Sequence, residues 1–271
     1  MRQANSGKAG AIRVQTLDAT DLAAMEKHGQ RKDASGQARR VSDEAPLVRG
    51  GLDIVALREE HVEGRKQQGK TKAVHAIVQF PQDLIPNTKM AQRAMLGFAV
   101  DFINDFYGGD AVFAARLDRD ENGTHKVDVF FLPRWEFQYK DGRKQARCGL
   151  GQYTKSAALK RFSKDDRRSQ GSALQDALFE YLRDNIRVPG VMPPERKKTT
   201  AKDRLEPEMY AVKREEALVQ RNAANLHRRA LSLTQREQQV ADDAAFVANE
   251  LKKISHRTND IDRVRQRYRN N

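Results

Sequence analysis

The sequence predicts an α+β domain, an antiparallel sheet of about five strands covered by helices, followed by a C-terminal helical coiled-coil extension. Three observations carry this. Arg116 to Pro133, RLDRDENGTHKVDVFFLP, reads as two strands joined by an acidic turn. Between residues 87 and 107 apolar side chains recur at helical spacing, and a stripe so wide needs a sheet to lie across. From residue 206 onward Val212, Val219, Leu226, Leu233, Val240, Val247, Ile254 and Ile261 occupy every seventh position.

The chain has 271 residues, of which 38% are hydrophobic and 32% charged, so part of it is too polar to belong to a core. Its net charge of +13 attracts polyanions, and nucleic acid is the leading partner. Apolar runs fall far short of the roughly 20 residues a spanning helix needs, and the N-terminus lacks an apolar signal core. A soluble, cytoplasmic protein without a membrane span is therefore expected. The single cysteine, Cys148, excludes an intramolecular disulfide and a multi-cysteine zinc site, and is expected on a strand.

Taken in order, Ala11 to Leu17 (AIRVQTL) alternates as a strand does. Asp18 is placed to cap a helix that ends near Gly29, with His28 in its last turn. Ser35 to Gly51 is polar and basic and reads as a loop. Residues 53–68 hold a weak helical period, and His75 to Pro81 reads as a strand. Asn87 is the expected cap of the long helix, with Met90, Ala94, Phe98, Phe102 and Phe106 along its buried stripe and Gly108 and Gly109 at its end. After the acidic hairpin, the KDGR of residues 140–143 marks a second hairpin within 135–150. A helix is expected over 172–186, and prolines then close the domain. The boundaries expected are 1–195 for the globular domain, 196–205 for a basic linker and 206–271 for the helical extension. Thr234 and Glu237 form a capping-box pattern, so the extension reads either as one long helix or as two folded back on each other.

The acidic hairpin carries the candidate chemistry. Alternation on its second strand places Lys126, Asp128, Phe130 and Leu132 on one face and Val127, Val129 and Phe131 on the other. An acid such as Asp128 on a mostly apolar strand is costly unless paired or metal-bound. Asp118 and Glu121 are near enough in sequence to join it, and an oxygen-rich set favours Mg²⁺ or Mn²⁺. A plain polar turn is the simpler alternative.

With RVQTLDATDLAAMEKHGQRK at its start and RLDRDENGTHKVDVFFLP at its centre, the chain resembles the MobV (Mob/Pre) plasmid mobilisation relaxases. Their first motif is His-Asn-Glu-Arg-like, and their third is His-x-Asp-Glu-x-x-Pro-His-x-His followed by a strand and a proline. The helix LQDALFEYLRDNI, a basic linker and a long charged helix follow in the family's order. The resemblance implies the HUH endonuclease fold. It also implies that His28 is the nucleophile and Arg31 a phosphate contact, with Gly29 and Gln30 replacing the motif's Asn-Glu. Asp128 and Lys126 stand where the family has its last two histidines, Glu121 matches its glutamate, and Asp118 falls near its first histidine. His125 is the alternative ligand if the turn shifts by one. The implied metal set is Asp118, Glu121, Asp128 and His125, holding Mn²⁺ or Mg²⁺. Tyr153 is a backup nucleophile, whereas His75, His61, His227 and His256 read as surface positions.

Arg39, Arg40, Lys66, Lys70, Lys72, Lys126, Arg143, Lys144 and Arg147 suit a track for single-stranded DNA on which Trp135, Phe137 or Tyr139 stacks with bases. The function implied is a relaxase that nicks one strand of plasmid origin DNA by metal-assisted transesterification, leaving a transient covalent 5′-phosphate link. The extension would form a homodimer or dock to the transfer machinery. Two other readings are a catalytically lapsed DNA-binding or replication-control protein of the same fold, and a structural coiled-coil adaptor.

Overall fold

In the computed structural model, residues 2–3, 7–186, 189–196 and 207–269 are described. A short strand, Arg2–Gln3 (β1), precedes Ala11–Leu17 (β2), the alternating strand expected. Asp18 caps Ala19–Gly29 (α1): its carboxylate accepts from the Asp21 amide, and the Asp21 carboxylate accepts in return from the Asp18 amide. The stretch expected as a loop instead holds the helix Ala34–Arg39 (α2), capped by Asp33, and the strand Leu47–Arg49 (β3). Six and three residues are too few to display a period, so neither element announced itself.

Ile54–Val62 (α3) and Lys66–Gln67 (β4) lead to Ala73–Gln79 (β5). The long helix is Lys89–Phe106 (α4), and its cap is Thr88, which accepts from the Ala91 amide. Asn87 is not the cap; its Oδ1 accepts from Gln92 Nε2 and Thr124 Oγ1, both at 2.8 Å. Val112–Leu117 (β6) and Lys126–Phe131 (β7) form the acidic hairpin, and Arg134–Gln138 (β8) with Lys144–Cys148 (β9) forms the second. Tyr153–Phe162 (α5) went unforeseen because Ala158 is its one buried residue, too little to make a stripe. Arg167–Asn185 (α6) follows, starting earlier than expected behind the Asp166 cap, and Glu195–Arg196 (β10) pairs with β1.

The main sheet has five strands in the order β2-β5-β7-β6-β3, every neighbouring pair antiparallel. Period-two alternation sorts its side chains into two faces. On one face Val74, Ala76, Val78, Leu117, Val127, Val129 and Phe131 pack under α4 and α6 in the larger core, with Met95, Ala99, Ile103, Leu178 and Leu182 supplied by the helices. Burying each large side chain contributes about 1.5–3 kcal/mol. The expected stripe on α4 is corrected at its start, since Met90 is 82% exposed. Each four-residue step overshoots a full turn by about 40°, so a row spaced by four drifts off the buried face. On the sheet's other face Phe113, Ala114, Phe130 and Leu132 pack with Leu22 and Ile54 from α1 and α3, and with Cys148, which is buried at the end of β9. A second sheet, β4-β9-β8, contains one parallel pair, β4 with β9.

The chain divides into two units, Met1–Thr199 and Thr200–Asn271. In the second, Pro207–Arg269 (α7) is one continuous helix. The Thr234 hydroxyl donates to the Ala230 carbonyl at 3.2 Å, so it sits inside the helix rather than capping a second one. Val219, Leu226, Leu233, Val240 and Val247 are all exposed; the side chains of Val212, Ile254 and Ile261 lie outside the described residues. Among the described residues no helix is long and apolar enough to cross a membrane.

Candidate functional site

The charged site lies on the sheet face opposite α4 and α6. Asp128 projects from β7 and meets groups from both neighbouring strands: its Oδ1 lies 2.9 Å from His75 Nε2 on β5, and its Oδ2 accepts from Arg116 Nη2 on β6 at 3.1 Å. An ionised carboxylate can only accept, so His75 carries its hydrogen on Nε2. Phe130, two residues along β7 from Asp128, stacks on the His75 ring at 4.8 Å and lies 5.9 Å from the Arg116 guanidinium. Arg116 Nε also stands 3.2 Å from Asp118 Oδ1, a contact of charges rather than an aligned hydrogen bond.

Arg31, just beyond α1, is the second positive centre. Its backbone is left-handed, φ 57°, which costs a non-glycine residue about 1–2 kcal/mol. Three carboxylates hold it there. Nε and Nη2 reach the two oxygens of Asp120 at 2.9 and 2.5 Å, Nη1 donates to Glu121 at 2.7 Å, and Nη2 lies 3.4 Å from Asp118. His28 completes the site: Nδ1 is 3.2 Å from Asp33 Oδ2, and Nε2 is 3.8 Å from Glu121. Asp33 accepts from the Gly36 amide at the same time, so one residue caps α2 and orients the imidazole.

Two glycines make this packing possible. A Cβ at Gly29 would overlap the Arg116 guanidinium, and one at Gly36 would crowd Asp33 and the His28 ring. Gly29 therefore serves less as a helix stop than as the gap through which Arg116 reaches the acids.

The charges set one another's ionisation. Burial alone would raise Asp128, but the charge and hydrogen bond of His75, then those of Arg116, carry it well below the usual carboxylate range. Burial pushes Asp118 up to about 6 against the charge of Arg116, with Asp128 adding in the same direction. Burial works against the charge of Arg31, yet its bond to Asp120 and the surrounding acids raise it further, so it stays cationic. Burial opposes ionisation of Asp33, but the hydrogen bond and charge of His28, with the Gly36 amide, outweigh it and lower its pKa.

Asp118, Glu121 and Asp128 thus come together around His28 and Arg31, while His125 does not join them. Its Nε2 faces the Ile85 carbonyl at 2.8 Å, outside the site. The implied metal quartet does not converge, and its three acids are already engaged by guanidinium groups or by His75. Among the described residues no group of three or more His, Cys, Asp or Glu is arranged to hold a metal ion.

The sequence reading missed His75 and Arg116. His75 is buried rather than on the surface, as is His61, which bonds the Leu132 carbonyl at 2.9 Å. The available signal was alternation: with Val74, Ala76 and Val78 facing the large core, His75 had to face Asp128. Tyr153 packs against Tyr107 beside that large core, which removes it as a backup nucleophile.

Of the expected DNA contacts, Lys126 shares the Asp128 face and Lys70 is exposed before β5. Arg40 is held by Ser42 and Asp43 and bridges through its backbone to Glu121, whereas Arg39 is half-buried. Lys72 donates its backbone amide to the Leu17 carbonyl. On the β8–β9 hairpin Arg143 pairs with Asp141 and Lys144 with Glu136, while Arg147 lies 3.6 Å over the Phe137 ring.

This fold, a five-stranded antiparallel sheet with α4 and α6 on one face and α1 and α3 beside the charged site on the other, is similar to that of a MobV-type relaxase domain. The solved structure that carries the comparison is the MobM relaxase domain (MOBV; Mob_Pre), bound to 22 nucleotides of plasmid pMV158 oriT DNA with a 3′-thiophosphate, in a Mn-bound crystal form. It matches with a TM-score of 0.51 at 16% identity, over 75% of this chain and 98% of that one. Another Mn-bound MobM form with 22 nucleotides gives 0.49 at 15% identity, over 74% and 96%. No protein-family model matches the sequence, and no curated protein does.

Proposed function

We propose that this chain is a plasmid mobilisation relaxase of the HUH endonuclease type. It binds single-stranded origin DNA on the site face and nicks it by transesterification, with His28 as nucleophile. One observation carries the reading: on a relaxase fold, the His28 ring is oriented by an acid on one nitrogen, which leaves the other for attack. Asp33 favours the hydrogen on Nδ1, which leaves the lone pair on Nε2, the nitrogen that faces Glu121 at 3.8 Å. In-line attack forms an N–P bond and breaks the bond from phosphorus to the 3′ oxygen. The 3′ end leaves as a hydroxyl with a proton from solvent, and the 5′ phosphate stays on His28. Arg31, paired with the same Glu121 oxygen that faces this nitrogen, would meet the phosphate oxygens.

The MobM structures are Mn-bound. In this chain Asp118, Glu121 and Asp128 are engaged by Arg31 and Arg116, and the steps above use the chain's own residues. That same engagement favours a second reading, a catalytically lapsed DNA-binding protein of this fold.

Supercoiled plasmid carrying the protein's own origin separates the two. The relaxase reading expects relaxed DNA and a covalent protein–DNA adduct, both lost in His28→Ala although DNA binding persists. Asp33→Ala should slow nicking about 10²- to 10⁴-fold, the cost of releasing a catalytic imidazole from its orienting acid. Origin binding without nicking or adduct, with and without Mn²⁺ or Mg²⁺, would establish the lapsed protein instead.

A further inference from the structure

We propose that Arg116 takes the place of a divalent metal in this site: its guanidinium stands between Asp118 and Asp128, and the site is complete without a bound ion. The proposal builds on the relaxase reading, but it concerns how the site balances its charge, so it can be tested separately.

Three independent features fix Arg116 there. It rises from β6 directly opposite Asp128 in the strand register, and its side chain is only 5% exposed. It reaches Asp128 at 3.1 Å through Nη2 and Asp118 at 3.2 Å through Nε. The space it crosses exists only because residue 29 has no Cβ. A buried guanidinium with a glycine cleared for it is built into the sequence and is not a surface side chain resting nearby.

The donor chemistry would otherwise suit a metal. His75 Nε2, Asp128 and Asp118 offer one imidazole and two carboxylates, a set that divalent Mn²⁺ accepts. Here both Asp128 oxygens are used, one by His75 and one by Arg116. A metal could enter only by expelling a guanidinium that is itself buried among acids, which would leave that charge buried without its partner. Arg31 repeats the arrangement with Asp118, Asp120 and Glu121, so each of these acids already faces a guanidinium.

The test is Mn²⁺ binding by the full chain in the absence of DNA, followed by isothermal titration and by the loss of the free-Mn²⁺ electron paramagnetic resonance signal. Wild type should show no saturable site, and its melting temperature should not respond to Mn²⁺ or to EDTA. Arg116→Gln, which frees His75, Asp118 and Asp128, should gain one Mn²⁺ site at least roughly tenfold tighter than any wild-type binding. Stoichiometric Mn²⁺ binding by wild type that disappears in Asp128→Asn would overturn the proposal. If Arg116→Gln does not fold, the wild-type titration and melting comparison decide the matter alone. A protein that binds neither Mn²⁺ nor origin DNA would refute the relaxase reading and leave the role of Arg116 standing.

Discussion

His61 and Gly29 show how single residues under the site are set by what they touch. His61 is buried against Phe113 and bonds the Leu132 carbonyl, and burial lowers its pKa to about 4. Its folded pKa thus lies below the unfolded value of about 6.5. The stability that depends on neutral His61 is fully present above pH 6.5 and is lost as pH falls towards 4. Between pH 7 and pH 5 the loss amounts to about 2 kcal/mol. Asp118, raised to about 6, works in the opposite direction over this range, so the His61 contribution is read as the difference between wild type and His61→Gln: urea unfolding at the two pH values should show wild type losing about 2 kcal/mol more than the variant. For Gly29 two effects oppose each other. Alanine in a helix is favoured over glycine by about 1 kcal/mol, but here its Cβ would overlap Arg116, and overpacking costs about 1–3 kcal/mol. Gly29→Ala should therefore destabilise the protein, and a gain in its urea midpoint would show that Arg116 does not lie against α1. Neither role was legible from local sequence, because each depends on a contact with a residue more than fifty positions away.

At the scale of elements, legibility followed length. The strands β2 and β7 alternate, β6 is an apolar run joined to β7 by the acidic turn, and α4 carries a wide stripe, so the sheet and its covering helix stood in the sequence. The elements α2 and β3 did not, although Asp33 of α2's cap is the group that orients His28. The acidic turn was legible as a cluster of acids, but not which cations it holds, since strand pairing alone brings Arg116 and His75 to Asp128. The β8–β9 hairpin offers a separate prediction about DNA. Arg147 lies flat over Phe137, which is 37% exposed, and its Nη2 donates to the Tyr139 hydroxyl at 3.1 Å. We expect this cation–ring stack to act as a platform for an unpaired base. A stacked base is worth about 1–3 kcal/mol, so Phe137→Ala or Arg147→Ala should weaken single-stranded DNA binding by roughly five- to a hundredfold in fluorescence anisotropy. His28→Ala should leave this binding nearly unchanged. Equal affinity in the hairpin variants would remove the hairpin from the DNA path.

The whole molecule joins a domain that carries the site to an extension that carries none of it, and its charge and its heptads make different demands on partners. With a net charge of +13, DNA binding should weaken steeply with salt, because each neutralised phosphate releases counterions. The extension asks for protein instead. Val219, Leu226, Leu233, Val240 and Val247 keep one heptad position apolar along a single continuous helix, and each is more than half exposed in the isolated chain. The intervening core positions Ala223, Ala230 and Ala244 are small, which lets two backbones approach closely, although Glu237 breaks that second seam. A helix of 63 residues with an exposed apolar seam at these five positions would gain by pairing with its copy, burying each of them for about 1.5–3 kcal/mol. Sedimentation equilibrium of the full chain should therefore show a reversible dimer. Leu226→Lys with Leu233→Lys should make it monomeric, leaving urea unfolding of the N-terminal domain unchanged. A monomer in the wild type at tens of micromolar would rule out self-pairing through this seam.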